Sequence, residues 1–520
     1  MSNPIASVSS GKLRGSMTPD GGAVFKGIPF AQAPTGNLSW HAPLPPKAWS
    51  GVRDATAFGP ACAQGGSKGV NSSEDCLYLN VWMPKWPMKA PAAVMVWIYG
   101  GGNFAGAASD PTFDGESLAR HGVVLVTLNY RLGVFGFLAL PELSRESPHR
   151  VSGNYGLLDQ IRALQWVHDN IARFGGDPAN VTIFGESSGS LDINVLMASS
   201  LSNGLYRRVI GESGPVVDPP PLSEAERKGE ALAAKLNMSG GSVLDKMRAL
   251  SSDELEKAAG QGLAFVGPTL GVNVDGWLFP ESPMEAFAEG REQHVDLMLG
   301  TNSQELQRPF FPMSGDFREL IAKQYGTLSD RALALYGLSG TMEPKPDPEF
   351  GPVLAQWATD SQFRCGSVAE LVWHAAAHNT AYQFQFSRAA PGREELGAPH
   401  GTEVAYVFGT LGPRRHNATD KMISMEMQDY WTNFAKTGDP NGGTLPKWPK
   451  FDPETRDYLD LTSAGPIAKE GLRRQVCDLY IEKLERQLSP SPGIAQLPKK
   501  APFVATGSSQ SGKAQKPNRN

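Results

Sequence analysis

The 520 residues lack several features that would assign the chain to a particular class of protein. The formal net charge is -5, which gives no basic field of the kind that attracts nucleic acid. Apolar runs such as residues 92–99 and 123–128 are far too short to cross a bilayer and instead predict buried strands. Residues 1–6 show neither the positive start nor the apolar run of a signal peptide. We therefore expect no membrane span and no nucleic-acid partner.

Cysteine is also scarce, since the chain contains only Cys62, Cys76, Cys365 and Cys477. An even number permits two disulfides but does not require them. A secreted or periplasmic protein whose leader has been removed and a cytoplasmic protein with four thiols both remain open. Monomer and dimer also remain open.

The order of apolar and amphipathic segments predicts an α/β protein. Hydrophobic residues make up 40% and charged residues 19% of the chain, which is an ordinary globular composition. Residues 123–129 predict a strand, 157–174 an amphipathic helix and 181–184 another strand, a βαβ arrangement that implies a mainly parallel sheet. We expect a single domain over residues 1–488. Residues 489–520 are rich in Pro, Ser, Gly and Lys without acidic residues, which predicts a disordered tail.

The pentapeptide Gly185-Glu186-Ser187-Ser188-Gly189 follows the predicted strand directly and precedes a helix-compatible segment. A serine nucleophile at the end of a strand needs a very tight turn, and small residues two positions away on either side permit it. The pentapeptide alone is weak because glycine is common, and the alternative is a glycine-rich turn with a solvated serine. The strand before it and the helix after it favour a nucleophile elbow with Ser187 at its tip.

A serine hydroxyl needs a base, and in α/β-hydrolases the histidine follows the serine in the chain. The histidines after Ser187 are His294, His374, His378, His400 and His416. His374 and His378 are predicted to share a helix face, but Ala375-Ala376-Ala377 lies between them, so the glutamate of a zinc-protease motif is missing. We therefore expect no metal site there. His400 lies in a loop among small residues that leave its imidazole free to project into a cleft, and it is the predicted base.

A carboxylate must orient the imidazole, and backbone amides must hold the oxyanion. Glu305 follows the predicted strand 295–299, at the edge where a parallel sheet presents functional loops. Its rivals, Glu394 and Glu395, are too near His400 in sequence and are expected to be solvated. The glycines of Gly100-Gly101-Gly102 follow the apolar strand 94–99 and allow close approach to an oxyanion, although an ordinary flexible turn is the alternative.

With these segments in place, the sequence resembles the type-B carboxylesterases, which include cholinesterases, bacterial para-nitrobenzyl esterases and fungal lipases. The resemblance covers residues 11–484. The further segments that carry it are Ser73-Glu74-Asp75-Cys76-Leu77-Tyr78-Leu79-Asn80, Asn129-Tyr130-Arg131-Leu132-Gly133, Gly153-Asn154-Tyr155-Gly156-Leu157-Leu158-Asp159-Gln160 and Phe174-Gly175-Gly176-Asp177-Pro178. It implies an α/β-hydrolase fold, with N-terminal β-strands and a large, mostly parallel sheet flanked by helices. It also implies hydrolysis of a small-molecule carboxylic ester through an acyl-enzyme.

The same resemblance implies roles for individual residues. Ser187, Glu305 and His400 would form the catalytic triad, and the amides of Gly101, Gly102 and Ser188 would form the oxyanion hole. Glu186, Ser213 and Glu403 match positions that support the histidine. The resemblance pairs Cys62 with Cys76 and Cys365 with Cys477, which favours an oxidising, secreted or periplasmic location over the cytoplasmic alternative. No metal and no organic cofactor is implied.

Several residues depart from the family pattern. Ser188 replaces the usual alanine, Ser190-Leu191-Asp192 replaces a run of small residues, and Asn103 stands where phenylalanine is frequent. The segment 62–76 contains no aromatic residue, so a quaternary ammonium group would lose its main cation–π contact, and we expect no cholinesterase activity. A non-catalytic adhesion protein on the same scaffold is the alternative, although such relatives usually lack the serine or the histidine.

Overall fold

The structure is a computed structural model that describes residues 3–65, 71–238, 240, 243–260, 270–310, 316–414 and 416–488. The expected disordered tail, residues 489–520, lies outside the described residues and stays a prediction.

A large twisted sheet forms the centre of the molecule. The strands of the described residues are β1 (Ile5–Val8), β2 (Gly11–Arg14), β3 (Ser16–Met17), β4 (Ala23–Pro29), β5 (Val52–Asp54), β6 (Ala61–Cys62), β7 (Ser72–Ser73), β8 (Tyr78–Met83), β9 (Ala92–Ile98), β10 (Val124–Leu128), β11 (Gly176–Glu186), β12 (Arg208–Glu212), β13 (Asp296–Asn302), β14 (Ala381–Phe386), β15 (Asp457–Thr462) and β16 (Gly465–Glu470). The central sheet has the order β16-β15-β14-β13-β12-β11-β9-β10-β8-β4-β3, while β1-β2-β5 and β6-β7 form two small sheets.

The middle of the central sheet is parallel. Seven strands in the spatial order β10-β9-β11-β12-β13-β14-β15 pair in parallel with their neighbours. The antiparallel pairs lie at the two edges of the sheet. A parallel strand is covered on both faces, which explains why β10 and β12 are buried along their entire length. The predicted α/β-hydrolase fold with a mostly parallel sheet is therefore confirmed.

Helices cover this sheet. They are α1 (Glu116–Arg120), α2 (Gly133–Phe137), α3 (Pro141–Glu146), α4 (Tyr155–Asn170), α5 (Ser188–Leu196), α6 (Leu222–Lys235), α7 (Val243–Arg248), α8 (Ser252–Ala259), α9 (Pro283–Ala288), α10 (Phe317–Tyr325), α11 (Ser329–Leu335), α12 (Val353–Thr359), α13 (Cys365–Ala376), α14 (Val404–Phe408), α15 (Ala418–Thr437) and α16 (Arg474–Leu488). The helices α4, α5, α13 and α15 pack against the parallel strands, and a turn of π-helix, Asp360–Arg364, joins α12 to α13. No helix among the described residues is long and apolar enough to cross a bilayer.

The predicted amphipathic helix 157–174 is present, but its last turn differs from the expectation. The α-helix α4 ends at Asn170, and residues Ile171–Phe174 continue as a 3-10 turn. Gly175 then takes the left-handed conformation, with φ of 79°, and β11 starts at the next residue. A glycine adopts this conformation without a steric penalty, which explains the abrupt change from helix to strand.

The expectation that His374 and His378 share a helix face is wrong. His374 lies in α13 and is fully buried, where its ring bonds Glu292 Oε1 and the backbone oxygen of Val295. The helix ends at Ala376, and His378 has φ of 64° and is exposed. Because the chain leaves the helix before His378, the spacing of four residues no longer brings the two rings to one side.

Two disulfides tie distant parts of the fold together. Cys62 pairs with Cys76, 14 residues away, and Cys365 pairs with Cys477, 112 residues away. The second disulfide joins α13 to α16, and all four cysteines are buried. The pairing is the one that the family resemblance implied.

Candidate active site

Ser187 lies at the junction between β11 and α5, in a strained turn. Its φ of 54° and ψ of -123° are unusual for a residue with a side chain. A Cβ at Gly185 or Gly189 would lie 2.7 or 2.0 Å from the backbone oxygen of Ile98, so the turn packs against β9 too tightly for any larger residue. These contacts explain both glycines of the pentapeptide and are those of a nucleophile elbow.

His400 and Glu305 meet Ser187 at the ends of the parallel strands. His400 Nε2 lies 2.8 Å from Ser187 Oγ, and His400 Nδ1 lies 2.8 Å from Glu305 Oε2. Glu305 follows β13, and His400 lies in the segment between β14 and α14. Since an ionised carboxylate can only accept, Nδ1–H donates to Glu305, and in the neutral imidazole Nε2 then accepts from the Ser187 hydroxyl. The three side chains form a continuous hydrogen-bonded chain, whereas the rivals Glu394 and Glu395 are exposed.

Other residues hold the Glu305 carboxylate in place. Its Oε1 accepts from Ser213 Oγ and from the backbone N–H of Asn302, both at 2.6 Å. The Asn302 side chain donates to the backbone oxygen of Pro399 at 2.8 Å and to Glu403 Oε2, which links the strand end to the loop that carries His400. The imidazole also packs against the Phe363 ring, with 4.6 Å between the ring centroids. Ser213 is therefore connected to His400 through Glu305, and Glu403 is connected to the loop of His400 through Asn302.

Four buried carboxylates lie around Ser187 and His400. Glu186, Glu212, Glu305 and Glu403 are each no more than 8% exposed, and Glu186 Oε1 lies 3.2 Å from His400 Nε2. Burial lowers the pKa of His400, but the charges of Glu186 and Glu305 outweigh it and raise that pKa above its ordinary value. Burial raises the pKa of Glu186 to about 7 and that of Glu212 to about 8, and it raises the pKa of Glu403 well above its usual range. The site thus favours the imidazolium that forms when His400 takes a proton.

The glycine-rich loop after β9 lies beside Ser187, because a Cβ at Gly100 would lie 2.9 Å from Ser187 Cβ and Gly102 lines the same cavity as Ser187. Gly101 and Gly102 have φ of 105° and 67°, and a Cβ at Gly101 would lie 2.2 Å from the backbone oxygen of Ala105. Ser188 is the first residue of α5, so its N–H is one of the amides left free by the helix at its N-terminus. Amides at a helix start stabilise negative charge, as an oxyanion requires.

A cavity of about 240 Å³ opens beside Ser187. Its walls include Leu191, Val216, Phe363 and Trp373, and Phe310 stands exposed at its edge. Asp218 is the only charged residue among the described residues that line this cavity. Phe104 borders a different, smaller cavity. The space beside Ser187 is therefore mainly apolar.

The sequence analysis did not predict the contacts of Asn302 with Glu305 and Glu403, of Phe363 with His400, or of Glu212 with Trp431. Asn302 and Glu305 occupy one predicted segment, and the spacing of three residues at a strand end was the available signal for Asn302. Glu212 ends β12 and accepts from Trp431 Nε1 at 2.8 Å, a partner 219 residues away. No local pattern indicates a contact over such a distance.

Comparisons with known proteins cover nearly the whole chain. The carboxylesterase family model matches residues 2–480. Fumonisin B1 esterase from Sphingopyxis macrogoltabida is 37% identical over 82% of this chain and 81% of its own length. Para-nitrobenzyl esterase from Bacillus subtilis (strain 168) is 36% identical over 90% and 97%. A solved structure titled PNB esterase superposes with a TM-score of 0.78 at 33% identity, covering 94% of this chain and all of the other.

Proposed function

Because this chain belongs to the carboxylesterase family and is a serine hydrolase of carboxylic esters, we propose that Ser187 is its nucleophile, His400 its general base and Glu305 the carboxylate that orients the base. The observation that carries this assignment is the hydrogen-bonded chain from Ser187 Oγ to His400 Nε2 and from His400 Nδ1 to Glu305, at 2.8 Å in both steps. The two curated relatives named above are titled esterases, and these titles give no support to the adhesion alternative.

The proposed reaction has two halves. Ser187 Oγ attacks the ester carbonyl carbon while His400 Nε2 takes the hydroxyl proton, and the amides of Gly101, Gly102 and Ser188 hold the resulting oxyanion. Collapse of the tetrahedral intermediate expels the alcohol, which leaves with the proton from His400. A water molecule, deprotonated by the same nitrogen, then attacks the acyl-enzyme and releases the acid. Glu186, Ser213 and Glu403 support the imidazole in both halves. All of this machinery lies within residues 1–488, which we propose act as one catalytic domain.

The lining of the cavity supports an uncharged, largely apolar group on the ester. No lysine or arginine of the described residues lines it, so a carboxylate on the substrate would find no cationic partner there and would face Asp218. At about 240 Å³, the cavity has room for a short or medium chain or a single aromatic ring. A small, neutral apolar ester is the substrate class that we propose.

The two disulfides favour an oxidising compartment, because reducing compartments keep thiols free. We therefore propose a secreted or periplasmic location. Mass spectrometry of the natively isolated protein after alkylation under non-reducing conditions would check this, since four alkylated cysteines would contradict it.

Replacement of the nucleophile tests the mechanism. Ser187→Ala should lower kcat by at least about 10³-fold with folding intact, and it should abolish labelling by a fluorophosphonate probe. Ser200→Ala is a matched control, because Ser200 is an exposed serine on the 3-10 turn after α5. Near-normal turnover by Ser187→Ala would disprove the assignment. A series of nitrophenyl esters of increasing acyl length, with a carboxylate-bearing acyl group as the charged comparison, tests the substrate class.

A further inference from the structure

A buried set of hydrogen bonds joins the loop that carries Gly101 and Gly102 to the first turns of α5. Asn103 N donates to Ser188 Oγ at 3.1 Å, and Asn103 Nδ2 donates to Asp192 Oδ1 at 2.7 Å. Gln160, on α4, donates through Nε2 to Asp192 Oδ2 at 2.6 Å. Tyr130 OH lies 3.0 Å from Asn103 Oδ1 and 2.8 Å from the backbone oxygen of Tyr99. We call Asn103, Ser188 and Asp192 the loop clamp.

Asn103 is held at every polar atom. Besides the three contacts above, its backbone oxygen accepts from Gly133 N at 2.7 Å. The residue is fully buried and has φ of 61°, a left-handed conformation that asparagine tolerates better than most residues with a side chain. With the backbone in this conformation and all its polar atoms bonded, Asn103 cannot shift without breaking several hydrogen bonds.

The buried carboxylate of Asp192 is energetically unfavourable at this position. It is fully buried, and both of its oxygens accept from neutral side-chain amides rather than from a cation. Burial raises its pKa to about 7, while the hydrogen bonds from Asn103 and Gln160 favour the charged form. A buried carboxylate without a cationic partner costs free energy, so simple space filling is a poor explanation for it.

We propose that Asn103 and Asp192 are positioning residues that set the distance between the amides of Gly101 and Gly102 and the amide of Ser188. This inference rests on the oxyanion hole of the proposed function. Ser188 supplies one of the oxyanion donors and also accepts from the N–H next to Gly102, so the clamp connects the two halves of the hole directly. Oxyanion donors stabilise the transition state only within a narrow range of distance. A loosened clamp therefore slows the chemical step more than it weakens substrate binding.

Removal of the acceptors tests the clamp. Asp192→Leu keeps the approximate size of the side chain but leaves Asn103 Nδ2 and Gln160 Nε2 without acceptors. We expect kcat to fall about 10- to 100-fold, with KM changed by less than about threefold. Asp192→Asn is the matched control, because its amide oxygen can accept from Asn103 Nδ2 while its N–H donates to Gln160 Oε1, which has no partner among the described residues of the parent enzyme, once the Gln160 amide has rotated. That variant should keep kcat within a few-fold of the parent enzyme.

Three outcomes overturn the inference. They are an unchanged kcat in Asp192→Leu, a loss in that variant that falls on KM, and a folded Asp192→Asn enzyme whose kcat is as low as that of Asp192→Leu. If Asp192→Leu does not fold, Ser188→Ala decides instead, because it removes the acceptor for Asn103 N and should lower kcat several-fold at constant KM. The Ser187→Ala enzyme separates the two proposals. If Ser187→Ala is inactive while the clamp variants have the kcat of the parent enzyme, the inference about the loop clamp is wrong and the proposed function stands.

Discussion

The buried Glu186 carboxylate should control the pH at which the enzyme loses activity on the acid side. Its Oε1 lies 3.2 Å from His400 Nε2, the atom that must be unprotonated to accept the proton of Ser187. Because Glu186 and Glu305 raise the pKa of His400, kcat/KM should already fall as the pH drops through a value above the ordinary pKa of histidine. Glu186→Gln removes one of these charges at nearly constant shape, so the pKa of His400 should fall and activity should persist to lower pH.

The size of the shift follows from the distance. Two unit charges 3.2 Å apart interact with about 5 kcal/mol at an effective dielectric constant of about 20, which corresponds to a ceiling of about 4 pH units. The actual shift is smaller, because Glu186 has a pKa of about 7 and is only partly ionised near neutrality. Glu305, which also raises the pKa of His400, is still present beside the ring in the variant. We therefore expect the midpoint of the acid limb to move down by about one to two pH units.

The assay is the pH profile of kcat/KM on a neutral nitrophenyl ester, for the parent enzyme and the variant. Glu212→Gln is the matched control, because Glu212 is also buried but directs its carboxylate to Trp431 rather than to the imidazole. That variant should move the acid limb much less. An acid limb that stays in place in Glu186→Gln, or that moves to higher pH, would refute the electrostatic role of Glu186.

Two further predictions concern the loop and the disulfides. Gly101→Ala should lower kcat about 10²-fold in steady-state kinetics, because the new Cβ would lie 2.2 Å from the Ala105 backbone oxygen. Gly36→Ala is the control, because Gly36 also has a positive φ, 60°, but no atom lies within 4 Å of its added Cβ. Serine replacement of the Cys365–Cys477 pair should destabilise the fold by about 4–5 kcal/mol, against about 3 kcal/mol for Cys62–Cys76, because the separations are 112 and 14 residues. Urea unfolding measures the free energy of unfolding of each double-serine variant. A larger loss for the Cys62–Cys76 pair than for the Cys365–Cys477 pair would contradict the loop-entropy argument.

Much of the sheet could be predicted because its strands are continuous apolar runs. Strand β10, Val124–Leu128, is one residue shorter at each end than the predicted strand 123–129, and β9 differs from the predicted strand 94–99 by two residues at its start and one at its end. Such strands are buried on both faces, so their composition alone separates them from amphipathic helices. The ends of helices were harder to predict. Nothing in the apolar spacing of residues 157–174 distinguishes four residues of α-helix from the 3-10 turn Ile171–Phe174.

The candidate site likewise contains residues that could be predicted from the sequence and contacts that could not. Ser187, Glu305 and His400 were candidates because each follows a recognisable strand in a fixed chain order, and the structure brings these three side chains together. The contacts of Glu212 with Trp431 and of Asn103 with Asp192 join residues 219 and 89 positions apart. These contacts depend on how complete elements pack, and no local periodicity or spacing records that packing.

The departures from the family pattern make physical sense only when they are taken together. As separate substitutions, Ser188 for alanine leaves a backbone amide unchanged, Asn103 places a polar side chain in a buried loop, and Asp192 places a carboxylate in the core. In the structure, Ser188 and Asp192 accept the two N–H groups of Asn103, one from its backbone and one from its side chain. Each of the three supplies what another would otherwise lack, since a buried donor without an acceptor costs about 1–3 kcal/mol. Asn103 would therefore be unfavourable beside an alanine and a small apolar residue, and Asp192 would be unfavourable beside phenylalanine. The three positions therefore form one hydrogen-bonded unit that joins the glycine-rich loop to the first turns of α5.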